Sequence, residues 1–341
     1  MPTFRNRTNT VRVLSASAAL ALAAAACGGD DQAAAGADGE EIVEVEMAMF
    51  SPPSLGAFLP AVIDDQEFDL AHGIDIVYQE RAPDAYNQEF AAGHYQVGAS
   101  GSLMSEAQRV SQGVDVAYLF NVHDFWATVV ATDDSVTELA DLNGRDLAAV
   151  ASSTSYAMFQ WFAQEAGLDL STVDITNTQT GGLGTQALTG RSTAVQMWEP
   201  GYSTLMASND TEGLTELDIQ VENWEARYGF SAIPYLGVAA HRSWIEENQE
   251  LIPRLQAIYE DAAEWALANP EEAGEIIAAT IPDGEAEPII ELLRDNDRLG
   301  LNVYGAGEQA DAIRAVFEAG VEIGYFDDVP SDDAIYFGDD A

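Results

Sequence analysis

Lysine is absent from this sequence: all 13 of its basic residues are arginine, set against 58 acidic residues and four histidines. The formal net charge of −45 repels nucleic-acid phosphates and anionic lipid headgroups, so neither is an expected partner. The missing lysine also argues against a hyperthermophile, whose ion-pair networks are rich in Lys and Glu. Cysteine is nearly absent, Cys27 being the single example. His72, His94, His123 and His241 share no ligand-like spacing, so no metal site and no cofactor are expected. Long apolar runs are missing after Cys27, because acidic residues interrupt each one, and no membrane-spanning helix is expected there.

What remains is a chain of 341 residues with 47% apolar side chains, enough for one or two sizeable cores. So acidic a composition could signal disorder, but regular apolar periodicity runs through most of it. The acid excess reads as a hydrated surface suited to a saline exterior, where screening suppresses self-repulsion.

Residues 1–26 differ from the rest. Arg5, Arg7 and Arg12 form a basic start with no nearby acid. Residues 14–26 form a short apolar stretch, and Ala24, Ala25 and Ala26 supply small residues before Cys27. The arrangement resembles a bacterial lipoprotein signal peptide, with Cys27 the lipidation site and mature N-terminus. Ala24 stands where such signals usually carry Leu, which leaves cleavage by an ordinary signal peptidase open. After cleavage ten arginines face 58 acids, a balance of −48. Residues 27–41, made mostly of Gly, Ala, Asp and Glu, read as a flexible acidic tether.

From Ile42 short strands alternate with amphipathic helices. Strands are expected from Val43, over 74–78, 95–99 and 114–120, with helices between them. This βαβα order predicts an α/β fold with mostly parallel sheet covered on both faces. A second unit opens at Trp126 and continues through strand 146–151, helix 154–166, strand 173–177, helix 182–189 and strand 193–198. Residues 234–240 form one more apolar run, after which the chain reads as wholly helical. There Leu251, Leu255, Ile258, Ala262 and Trp265 advance at helical spacing, and Asn269-Pro270 opens another helix.

The order of short motifs is more specific than any of them alone. Ala57-Phe58-Leu59-Pro60 is followed by His72-Gly73-Ile74-Asp75-Ile76, Phe90-Ala91-Ala92-Gly93 and Val97-Gly98-Ala99-Ser100. Then come Asp141-Leu142-Asn143-Gly144, Gly167-Leu168-Asp169, Ala187-Leu188-Thr189-Gly190 and Met197-Trp198-Glu199-Pro200. In sequence and spacing this resembles the ABC-transporter binding proteins for taurine, aliphatic sulfonates, nitrate and thiamine-precursor pyrimidines. The resemblance implies the two-lobed type II periplasmic binding protein fold, hinged at two crossings near residues 124–130 and 234–240. Lobe 1 would then comprise 42–125, lobe 2 126–234, and residues 235–341 would return to lobe 1 with the C-terminal helices. It also implies an extracytoplasmic, lipid-anchored monomer that hands a small solute to an ABC permease and its ATPase.

Ligands of open α/β sheets bind beyond the carboxyl ends of strands, where loops meet helix starts. One such junction is Ser152-Ser153-Thr154-Ser155, four hydroxyls opening a helix. Free N–H groups and hydroxyls there suit an oxyanion, although one Ser must in any case serve as a helix cap. The loop Ser51-Pro52-Pro53-Ser54 leading to Phe58, and the turn at Ser100, are either plain turns or ligand contacts; Ser51, Ser54, Phe58 and Ser100 are carried as candidates. Trp198 and Glu199 end an apolar strand. A buried Glu199 needs a partner, either a ligand amine or structural donors. Trp126 and Tyr235 sit at the expected crossings, where an aromatic ring can stack on a ligand or simply pack.

Asp84, Asp124 and Glu199, with only Arg81 nearby, would make the cleft acidic and suit an aminopyrimidine. The hydroxyls favour a sulfonate, taurine or nitrate-like oxyanion. A pyrimidine-synthase enzyme would rely on a cysteine-rich stretch that is missing here, and no nucleophile elbow points to a hydrolase. A sensor domain presenting ligand to a receptor is the remaining alternative.

Overall fold

The computed structural model describes residues 42–207 and 211–338. The leader, Cys27 and the acidic tether lie outside them.

The chain opens with β1 (Val43–Phe50), β2 (Ile74–Arg81), β3 (Val97–Ser102) and β4 (Val116–Asp124). It then lays down β5 (Thr128–Ala131), β6 (Asp146–Ala149), β7 (Asp174–Asn177), β8 (Ala194–Met197) and β9 (Thr215–Leu217). β10 (Pro234–His241) and β11 (Leu301–Gly305) follow, separated by four α-helices between Arg242 and Arg294 and two short helical turns, Gln249–Leu251 and Asn296–Leu299. The strands form two sheets, ordered β11-β4-β10-β3-β1-β2 and β7-β6-β8-β5-β9. The central strands β3, β4, β5 and β8 are buried throughout, or nearly so, as strands covered on both faces must be. The edge strand β7 is mostly exposed and carries Asp174 and Asn177, polar groups that discourage edge-to-edge pairing.

Two sequence expectations are corrected. The sheets are mixed rather than mostly parallel: β10 lies antiparallel to both β3 and β4, and β5 is antiparallel to β8 and β9. A strand that returns from the other sheet enters against the direction of the strands already laid down, and local periodicity carries no record of that. The C-terminal part is not wholly helical either, because β11 pairs with β4 along the edge of the first sheet.

The sheets are joined at residues 125–127 and 229–233, and the two connections are bonded to each other by Phe125 N donating to the Ile233 carbonyl at 2.8 Å. One core packs the first sheet against the helices Phe58–Gln66, Ile252–Ala268, Pro270–Thr280 and Ala286–Arg294. A smaller core covers one face of the second sheet with Leu183, Ala187, Tyr202 and Leu205. A third lies on its other face and does not stop there. Phe159 and Phe162 of the helix Thr154–Glu165 share it with Leu103 and Met104 from the first lobe and with Ile313, Val316 and Phe317. Each such ring contributes roughly 1.5–3 kcal/mol by burial. The last helix, Ala310–Glu322, therefore straddles the two lobes instead of belonging to the first alone. Among the described residues no helix is long and apolar enough to cross a membrane.

Candidate functional site

The helix Thr154–Glu165 begins where β6 ends. Ser153 takes extended backbone and its Oγ accepts from Tyr156 N at 3.0 Å, so the capping role expected of one serine falls to Ser153. The other three hydroxyls point to different neighbours. Ser152 is exposed. Thr154 Oγ1 accepts from Ser102 Oγ at 2.9 Å, a direct bond from the second lobe to the first. Ser155 is buried over the second sheet, where Gln196 Nε2 reaches its Oγ at 3.3 Å. Tyr235, at the mouth of the second connection, places its hydroxyl beside Thr154 and Ser155, and burial raises its pKa.

Ser102, Thr154, Ser155, Tyr235 and Gln196 thus form an uncharged belt between the lobes, with Gln196 Oε1 a buried acceptor that no described group engages. The belt lies at a helix start, where backbone N–H groups and the helix dipole favour negative charge. Ser102 and Gln196 were not singled out in the sequence. Ser102 could have been, since it ends the Ser- and Gly-rich run that contains Ser100, a run that is strand β3 rather than a turn; Gln196 reads as one more position in an apolar strand.

The first-lobe junction is closed upon itself. Ser51 donates its backbone N–H to the Arg81 carbonyl at 2.9 Å. Ser54 Oγ accepts from Gly56 N at 3.3 Å and caps the short turn Leu55–Ala57. Ser100, fully buried, accepts from Phe50 N at 3.0 Å and donates to the Gly56 carbonyl at 3.2 Å. A Cβ on Gly56 would stand 2.3 Å from Ser100 Oγ, so only glycine fits that crossing. Phe58 is 2% exposed within the first core. In this structure Ser100 bonds backbone and Phe58 fills the first core.

His123 lies in this region, with Nδ1 donating to the Leu299 carbonyl at 3.1 Å and the Leu55 backbone also beside the ring. Burial pushes its pKa down to about 4. Among the described residues no group of three or more His, Cys, Asp or Glu is placed to hold a metal ion.

The acidic groups weighed against the oxyanion already have partners or face solvent. Glu199 is 1% exposed and accepts from Ser203 N and Ser203 Oγ, each at 3.0 Å, and from Arg298 Nη2. It is a structural carboxylate with its own cation, 99 residues away in sequence. Burial raises its pKa, opposed by Ser203 and Arg298. Asp124 accepts from Asn121, Asn302 and Tyr304 at 3.2, 2.8 and 2.8 Å. Arg81 is held by Glu89 at 2.7 Å, and Asp84 is exposed. Trp126 packs 5.5 Å from the Tyr202 ring, and Trp198 is half-buried against the smaller core.

Two α/β sheets joined by paired connections, with polar loop ends meeting at their junction, define the two-lobed binding-protein architecture. The family described as NMT1/THI5 like matches residues 66–273, more than half of the chain, and the chain belongs to that family. Its fold is similar to that of the periplasmic aliphatic sulphonate binding protein SsuA from Escherichia coli, at a TM-score of 0.68 and 17% identity over 86% of this chain and 92% of that one. The alkanesulfonate-binding SsuA from Xanthomonas axonopodis pv. citri, bound to MOPS, gives 0.68 and 12% over 86% and 98%. A Candida albicans protein with the generic periplasmic binding protein fold gives 0.61 and 14% over 86% and 96%. A comparison with curated protein sequences found no match. The family and fold expected from the order of motifs are both borne out.

Proposed function

We propose that this chain is the extracytoplasmic solute-binding component of an ABC-type importer, tethered through Cys27, and that it makes and breaks no covalent bond. Its task is to enclose a small polar solute between the lobes and present the closed form to a permease. The observation that carries this reading is the uncharged belt of Ser102, Thr154, Ser155, Tyr235 and Gln196 at a helix start between two lobes. A site of donors and helix dipole without a carboxylate of its own suits a small oxyanion, with a sulfonate, taurine or nitrate-like group at Thr154. Against a cationic aminopyrimidine, Glu199 already holds Arg298 and Asp124 is bonded by Asn121, Asn302 and Tyr304. The sulfonate-binding proteins of similar fold support the same choice.

Calorimetric titration with taurine, alkanesulfonates, nitrate and hydroxymethylpyrimidine tests it. One-to-one binding of an oxyanion is expected, and joint replacement of Ser152, Ser153 and Thr154 by Ala should weaken it about tenfold or more. Binding of the pyrimidine alone would overturn the oxyanion assignment. Silence with all four would overturn the site.

A further inference from the structure

Arg298 belongs to the first lobe and is spent on the second. Its neighbours Leu299 and Leu301 are buried in the first core, and Asp124 N donates to the Gly300 carbonyl at 2.7 Å. The side chain crosses the boundary. Nη2 donates to Glu199 and, at 2.8 Å, to Ser203 Oγ. The guanidinium carbon stands 4.9 Å from the centre of the Tyr202 ring and 5.4 Å from that of Trp126, a flat cation resting against two rings that are themselves in tilted contact, 5.5 Å between centres. Asp295, in the same turn, is 3.7 Å from Nη1. On the other flank of the molecule the lobes are joined by the continuous apolar core under the helix Ala310–Glu322, with Glu322 accepting from Trp161 Nε1 at 3.0 Å and from Arg227 at 2.9 Å.

These two seams respond differently to a rotation of one lobe against the other. An apolar seam can slide while staying buried. The Arg298 socket is directional, and withdrawing the guanidinium leaves a carboxylate that is 1% exposed with only the N–H and O–H of Ser203 for compensation. Stranding a buried charge is among the costlier changes a fold can undergo.

We propose that Arg298 is the clasp of the hinge: seated against Trp126 and Tyr202 and bonded to Glu199, it holds the lobes together without solute, and its release is the step that lets them part. The proposal rests on the two-lobed fold and not on the identity of the ligand.

The test uses the full chain with Cys27→Ser, so that its thiols are two introduced ones, Asp84→Cys on the first lobe and Gln179→Cys on the second, both at exposed positions. Spin labels there report the interlobe distance by double electron–electron resonance, with no solute added. A single narrow distribution is expected for this background. Arg298→Ala should move about half or more of the population to a second distance, and Arg298→Lys, which keeps the charge but not the flat stacking, should move a smaller part. Arg254→Ala, removing an arginine that bonds the His72 carbonyl inside the first lobe, should leave the distribution unchanged. A background-like distribution in Arg298→Ala overturns the proposal. Should that variant fail to fold, Ser203→Ala and Arg298→Lys carry the test, and an unshifted distance in both overturns it equally. Solute affinity is measured separately, so a failed clasp and a failed binding site are told apart.

Discussion

The two loop systems that face each other across the lobes are built from similar residues and do opposite things. The first-lobe junction, rich in Ser and Gly, spends most of its hydroxyls on its own backbone, Ser54 on Gly56 and Ser100 on Phe50 and Gly56, with Phe58 sunk in the core and Ser102 reaching across to Thr154. The second-lobe junction spends one hydroxyl, Ser153, on its helix and offers Ser152, Thr154 and Ser155 elsewhere. The difference lies in depth. Ser100 sits in a strand buried on both faces, where every polar group must find a partner at home. Ser152 sits at an exposed loop end. Similar composition therefore yields a scaffold on one side and a receptive surface on the other.

That contrast can be broken from the scaffold side first. Phe58→Ala should lower unfolding free energy by about 3–5 kcal/mol through cavity formation, read by denaturant titration, with solute affinity of the folded fraction unchanged. A loss of affinity at preserved stability would return Phe58 to the binding site.

His123 gives the next largest effect. Its pKa in the folded protein is about 4, below the ordinary 6.5, so between these values the unfolded chain holds a proton that the folded chain does not. Stability from this group is fully present above pH 6.5 and falls away as pH drops toward 4, by up to about 3 kcal/mol. Glu106, Glu199 and Asp124, whose pKa values burial raises, pull the other way. The parent-minus-variant difference for His123→Gln, followed as stability against pH, isolates the histidine. A flat difference would show that the ring charges freely inside the fold.

Ser100→Ala should cost about 1–3 kcal/mol, because Phe50 N–H and the Gly56 carbonyl lose a buried partner, again without touching affinity. Thr154→Val should do the reverse. Stability should change by about 1 kcal/mol or less, while affinity for the bound oxyanion falls roughly tenfold. Equal behaviour of the two variants in both measurements would erase the distinction between the junctions.

Much of this was legible in the sequence. Regular apolar spacing marks the helix beginning at Thr154, and the stripe Leu251, Leu255, Ile258 and Ala262 is buried as its spacing requires. The four hydroxyls at the start of that helix mark a strand-end junction because N-caps and turns select the same small polar residues. What was illegible is non-local. Glu199 calls for a partner by its position just after an apolar strand, but nothing near it in sequence names Arg298. Likewise β10 carries an apolar run that fits either strand direction, and its place between β3 and β4 is decided by the path of the chain through the other lobe.

The bond from Phe125 N to the Ile233 carbonyl turns the two connections into one short ribbon. Two independent tethers would permit twisting as well as bending, and the lobes could wander through many relative orientations. A fused ribbon folds readily about a single line and resists torsion.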